Sequence, residues 1–186
     1  MSRASKLIMR SLSAVLGVIL VAGQALAAAQ APPPASLELD DRVTVSLAAQ
    51  ARRAHLLGSV DFYRLAVYTN TPIRDTAALS MRDTPKALRI DITYKHDLHR
   101  AMSFDWQREL IPHLEAAAIE QLRRIFAPVR TGDVLQIDYT LDKGTTVRVN
   151  RSQAVTRGSH DLMLAFLDHW LGQRPVSDEM KQELLR

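Results

Sequence analysis

Hydrophobic and polar positions along the chain change period several times, and each change marks an element. From Arg42 to Ala49, Val43, Val45 and Leu47 alternate with Thr44 and Ser46, the two-residue period of a strand with one buried face. Leu56 to Thr69 is apolar on both parities, with Val60, Phe62 and Ala66 on one and Tyr63, Leu65 and Val67 on the other. Such a segment is expected to be central in a sheet and covered on both sides, with a break near Gly58-Ser59. Ala87 to Tyr94 alternates most strictly: Leu88, Ile90, Ile92 and Tyr94 against Arg89, Asp91 and Thr93, which predicts one buried and one wetter face. Between these runs, Thr71-Pro72 and Asp83-Thr84-Pro85 punctuate a loop that holds a short helix around Thr76 to Met81.

The period then lengthens. Ser103 caps a helix over Phe104 to Ile111, Pro112 restarts it, and Leu114, Ala118, Leu122 and Ile125 form one stripe up to Phe126. Glu120 and Arg124 stand four apart on the other side. Alternation returns with Leu135, Ile137, Tyr139 and Leu141, and Asp142-Lys143-Gly144 turns the chain into a returning strand through Val147 and Val149. Ser159 opens a helix that is apolar on nearly every side, from Leu162 to Leu171, and Gly172 ends it. Ser177, followed by Asp178 and Glu179, caps a final short helix. Strands first, then a helix, a hairpin and closing helices is not a βαβ alternation. The expected fold class is α+β, a largely antiparallel sheet carrying helices on one face.

The N-terminal segment fits none of these patterns. Arg3, Lys6 and Arg10 precede an apolar run from Ala14 to Ala22, and Ala25-Leu26-Ala27 offers small residues at a cleavage site. The run is shorter than the roughly 20 residues a membrane span requires. We therefore expect residues 1–27 to be a signal peptide cut after Ala27, residues 28–36, which include Pro32-Pro33-Pro34, to be a linker, and residues 37–186 to be one domain. The mature protein is expected in the periplasm, with no integral span left after cleavage.

Removal of that leader changes the charge picture. Of 24 lysines and arginines, three lie in residues 1–27, leaving 21 against 20 acids, so the mature chain is near +1 rather than +4. No concentrated basic face of the kind nucleic acid needs is expected, and the pairs Arg52-Arg53 and Arg123-Arg124 are read as solvated faces. With no cysteine there is neither a disulfide nor a thiolate metal site, and the fold stands on its core alone.

Candidate chemistry is sparse. His96 and His99 follow a strand rather than a helical turn, and no third ligand stands at a metal-motif spacing, so no metal and no cofactor are expected. Ser159-His160-Asp161 carries triad residue types, but neighbours on one helix point in different directions. Asn150-Arg151-Ser152 matches a glycosylation acceptor. The more informative cluster is Arg52, Arg53, Tyr63, Arg64 and Tyr68, cations and phenols inside a segment of otherwise buried types. An apolar pocket with a few such groups is the usual form of a small-molecule site.

Several of these runs resemble one family. The stretch Gly58 to Thr69 ends in Ala66-Val67-Tyr68, an (A/G)-x-Tyr pattern. The strand ALRIDITY, the hairpin GDVLQIDYTLDKGTTVRVN and the ending from Leu164 to Leu185, with Leu171-Gly172, Val176-Ser177 and a short lysine-containing helix, follow in the same order. Together they resemble the chalcone isomerase superfamily, and more closely its exported bacterial chalcone-isomerase-like proteins, over roughly Val43 to Leu185. The resemblance implies an open-faced β-sandwich, a large antiparallel sheet against a helical layer. The plant enzymes of this superfamily add a phenolate across an enone to close a flavanone ring, with an arginine and two threonines around the substrate. Arg52 or Arg53 corresponds to the arginine, whereas the threonine positions hold Tyr63 and His169. Related members without that activity bind fatty acids, an arginine holding the carboxylate. The resemblance thus implies a binding protein for a small amphipathic or carbonyl ligand, with Arg52, Arg53, Tyr63, Tyr68, His169 and Trp170 around it. An intramolecular lyase acting on an enone through Arg53, Tyr63 and His169 is the alternative, and an envelope adaptor with no ligand is a third.

Overall fold

The computed structural model describes residues 31–40, 43–54, 61–74, 76–93, 115–127, 129–150 and 152–186. The leader expected over residues 1–27, His96, His99 and the helix expected over Phe104 to Ile111 lie outside these residues. Seven strands follow one another in a single antiparallel meander: β1 (Ser36–Asp40), β2 (Val43–Ala54), β3 (Asp61–Thr69), β4 (Lys86–Ile92), β5 (Val134–Thr140), β6 (Gly144–Val149) and β7 (Ser152–Gly158). Among the described residues there are four helices: α1 (Thr76–Leu79), α2 (Ala116–Phe126), α3 (His160–Leu171) and α4 (Asp178–Leu184). The architecture is α+β, the open-faced β-sandwich expected. None of these helices is long and apolar enough to cross a membrane.

Period two decides which face each strand buries. Tyr63, Leu65 and Val67 of β3, Leu88, Ile90 and Ile92 of β4, and Leu135, Ile137 and Tyr139 of β5 form one core with the helices. Helix α3 contributes Leu162, Phe166 and Trp170 to it, α2 contributes Leu122 and Ile125, and α4 contributes Met180 and Leu184. Each fully buried side chain of this kind stabilises the fold by about 1.5–3 kcal/mol.

The other face is not left to solvent, contrary to the wetter face predicted for β4. The register of β2 shifts between Leu47 and Ala49. A bulge of this kind flips the parity of the strand. Val45 consequently joins Leu39, Ala66, Tyr68 and Ala87 in a second cluster, while Ala51 belongs to the main core. Next to that cluster Asp91 is fully buried, and its Oδ1 takes Nε and Nη2 of Arg89 at 2.9 and 2.8 Å. Arg148 pairs with Asp138, whose Oδ1 also accepts from Gln136 at 2.8 Å. Pairing of this sort offsets the cost of burying charge, so Asp91 and Asp138 can be held inside while Arg89 and Arg148 keep part of their surface in water.

Three local details depart from expectation. Leu141 does not continue the inward row of β5; it sits in the turn, 64% exposed. Strands β1 and β7 have no counterpart in the hydrophobic pattern of the sequence. Gly172 ends α3 without a left-handed conformation, at φ −67° and ψ −173°. Glycine is required there for space, because a Cβ would lie 2.0 Å from Asp168 Oδ1 and 2.4 Å from the Asp168 carbonyl oxygen. The Ser177 cap is as expected, its hydroxyl accepting from the Met180 amide at 3.2 Å.

Candidate functional site

The site that the sequence points to is centred where β3 meets the end of α3. Tyr63 is 5% exposed, and its hydroxyl accepts a 2.9 Å hydrogen bond from Trp170 Nε1. The two rings meet edge-on, 6.4 Å between centroids and 77° between planes. Trp170 is buried because α3 is apolar all round and lies over the sheet; its one polar atom then needs a partner, which Tyr63 provides. His169 packs edge-on against the Trp170 indole at 4.8 Å and is 5% exposed. Its carbonyl accepts from the Val176 amide at 2.9 Å, holding the turn that follows α3 against the helix end. Tyr63, His169 and Trp170, far apart in sequence, are therefore brought together.

The two arginines are separated by register. Arg53 pairs with Tyr63 across the β2–β3 ladder, and Arg52 pairs with Arg64. Neighbouring strands lie about 4.8 Å apart, so the Arg53 backbone stands one strand away from the Tyr63 position, while Arg52 is exposed. The side chain of Arg53 lies outside the described residues.

Tyr68 stands apart. It belongs to the second cluster, on the sheet face opposite Tyr63, and is fully buried. Its hydroxyl has no hydrogen-bond partner among the described residues. Burial pushes that phenol up to about 12, the Arg89 charge working against the shift and Asp91 adding to it. The structure thus does not place Tyr68 with Tyr63, His169 and Trp170. Tyr63 and Tyr68 are five positions apart on one strand, an odd offset, and strand parity places them on opposite faces.

Other candidates resolve into structural roles. Asn150 sits in the β6–β7 turn with φ 54°, a conformation asparagine tolerates. Its side chain accepts from Val134 N at 2.9 Å and donates to Asp133 Oδ1 at 2.8 Å. Arg123 and Arg124 are surface residues of α2, within 3.8 and 3.5 Å of Glu120. His160 makes no triad with Ser159 and Asp161; it faces a buried lysine, Lys86, that nothing in the sequence singled out.

Comparison with known proteins bears on the fold and the family. A family model described as chalcone isomerase-like matches residues 33–186. The chain belongs to the chalcone isomerase-like family. Among solved structures it is similar to a fatty-acid binding protein from Arabidopsis thaliana, with 19% identity, 82% of this chain and 90% of that one covered, and a TM-score of 0.62. At that identity the likeness concerns the fold. No curated protein matches the chain significantly.

Proposed function

We propose that this chalcone-isomerase-like protein is an exported binding protein for a small amphipathic ligand such as a fatty acid, without flavanone-forming activity. The observation that carries the reading is the Tyr63–Trp170 hydrogen bond. The two positions where the plant isomerases of the superfamily hold threonines are occupied here by buried rings, Tyr63 and His169, both packed against Trp170. Buried at 5% exposure against the Trp170 indole, the Tyr63 hydroxyl is screened from a substrate enone, whereas an aromatic wall suits an alkyl chain. Arg53, opposite Tyr63 in register, supplies the cation for a carboxylate head. The likeness of fold to a fatty-acid binding protein supports the same ligand class.

The test pairs a binding and an activity measurement on the mature chain. Oleate should raise the melting temperature and extinguish part of the tryptophan fluorescence, a change that should be lost in Trp170→Phe but kept in Trp106→Phe, and chalcone absorbance should decay no faster than without protein. Ring closure above the spontaneous rate, with no response to oleate, would replace this reading by the intramolecular lyase. Export is tested separately: N-terminal sequencing of the periplasmic protein should begin at Ala28, and retention of residues 1–27 in the cytoplasm overturns it.

A further inference from the structure

A second site of titratable groups lies away from Tyr63, where the segment from α1 to β4 crosses the start of α3. Lys86, fully buried, donates from Nζ to the carbonyl oxygens of Leu79 at 2.5 Å and Met81 at 2.8 Å. The same Nζ is 3.5 Å from Nε2 of His160, the first residue of α3, and 5.0 Å from the centroid of the Tyr139 ring. Tyr139 stacks at a tilt on His160, 4.8 Å between centroids, and donates its hydroxyl to the Arg82 carbonyl at 3.0 Å. Lys86, the first residue of β4, and Tyr139 thus fasten the segment Thr76–Pro85, and the imidazole of His160 meets that fastening lysine from α3.

That segment forms one wall of a groove of about 690 Å³. Thr76, Leu79 and Ser80 stand on one side, and Leu164, Asp168 and Leu171 of α3 on the other. The width of the groove therefore depends on how closely Thr76–Pro85 is held to α3.

A contact between an amine and an imidazole holds with one proton between the two nitrogens. Either the ammonium donates to an unprotonated ring nitrogen, or the ring N–H donates to a neutral amine. With both groups charged, two donors and two positive charges face each other in a dry site. We propose that the Lys86–His160 contact is an acid-sensitive latch, in which protonation of His160 drives Thr76–Pro85 away from α3 and opens the groove between them.

The surroundings favour this direction. Burial, then the charges of Lys86 and Arg82, hold the imidazole below its usual range, while Asp161 and the Met81 carbonyl oppose them. Burial pulls the Lys86 ammonium down to about 8, with Asp83 opposing, so near neutral pH the lysine carries the shared proton. A positive His160 would also sit at the N-terminus of α3, where the helix dipole disfavours it. The charged and titratable groups facing the pair are therefore Arg82 and Asp83 from the loop, Tyr139 from β5 and Asp161 from α3. The latch is independent of which ligand the Tyr63 site takes.

Hydrogen exchange read by mass spectrometry on the mature chain tests it, with rates normalised to the intrinsic exchange rate at each pH. Between pH 7.5 and pH 5, protection of Thr76–Pro85 should fall by about tenfold as the segment opens locally, while β4 stays protected. His160→Gln, whose amide oxygen accepts from Lys86 but does not titrate, should hold its protection within about twofold. Equal protection at both pH values in the native chain, or the same loss in H160Q, overturns the latch. Should H160Q fail to fold, the NMR titration of the His160 ring in the native chain decides: its midpoint must coincide with the opening, and a displacement of more than about one pH unit overturns the proposal.

Discussion

The Trp170 indole donates from Nε1 to the Tyr63 hydroxyl at 2.9 Å, joining the last turn of α3 to β3 across the main core. Both groups are buried, so neither has water to fall back on. Tyr63→Phe leaves the indole N–H without its acceptor and should cost about 1–3 kcal/mol. For a domain of this size that lowers the melting temperature by roughly 2–4 °C per kcal/mol. Urea unfolding of Y63F, W170F and the double variant measures the coupling directly. Strictly additive losses would mean that the two side chains carry no coupling energy and that the bond does not stabilise the fold.

Gly172→Ala should destabilise although the backbone there is in an ordinary region. The new Cβ meets the Asp168 carboxylate at 2.0 Å and the Asp168 carbonyl at 2.4 Å. The carboxylate can swing aside, but the carbonyl belongs to the helix end, whose oxygen accepts from Gly172 N at 2.9 Å. A cost of about 1–3 kcal/mol is expected, typical of overpacking. Asp168→Ala combined with Gly172→Ala should recover only the side-chain part, as measured by thermal unfolding.

The elements with a clean period were legible from the sequence: β4, the β5–β6 hairpin, the apolar α3 and the Ser177 cap of α4. What stayed hidden has particular physical causes. Strand β1 follows three prolines, and β7, reading Ser-Gln-Ala-Val-Thr-Arg-Gly, has too little alternation to stand out. The bulge in β2 turns Val43, Val45 and Leu47 to the second face and Ala51 to the first, a change that only pairing with β3 reveals. At the site, the sequence places Arg52 and Arg53 together, and only pairing with β3 sets Arg53 opposite Tyr63 and Arg52 opposite Arg64. The Lys86–His160 contact joins residues 74 apart and has no local signature.

Stability should rise, not fall, as the solution becomes mildly alkaline. Lys86 drops to about 8 in the folded chain from an unfolded value of 10.5. Between these values the unfolded chain holds a proton that the folded chain has released, so unfolding becomes harder with increasing pH, by about 3 kcal/mol over the full interval. Tyr68 acts in the opposite sense. Its folded value of about 12 lies above the unfolded 10.0, so its contribution is intact below pH 10 and is lost as pH climbs towards 12. Urea midpoints from pH 7 to 11.5 should pass through a maximum between about pH 10 and 10.5. In Lys86→Met the rise above pH 8 should vanish, and its persistence would assign the slope to another group.

The central claim is tested most directly by the dissociation constant for oleate in the native chain, Arg53→Ala and Arg52→Ala. Arg53 pairs with Tyr63 and Arg52 with Arg64, so one substitution lies at the proposed site and the other serves as its control. Loss of a charge-assisted bond of about 1.5–3 kcal/mol predicts roughly a ten- to hundredfold weaker affinity in R53A. R52A should bind as the native chain does, and Arg53→Lys should recover only part of the loss, since an ammonium lacks the planar two-pronged donor set. Equal effects from R53A and R52A, or no measurable binding of oleate by the native chain, would contradict the account.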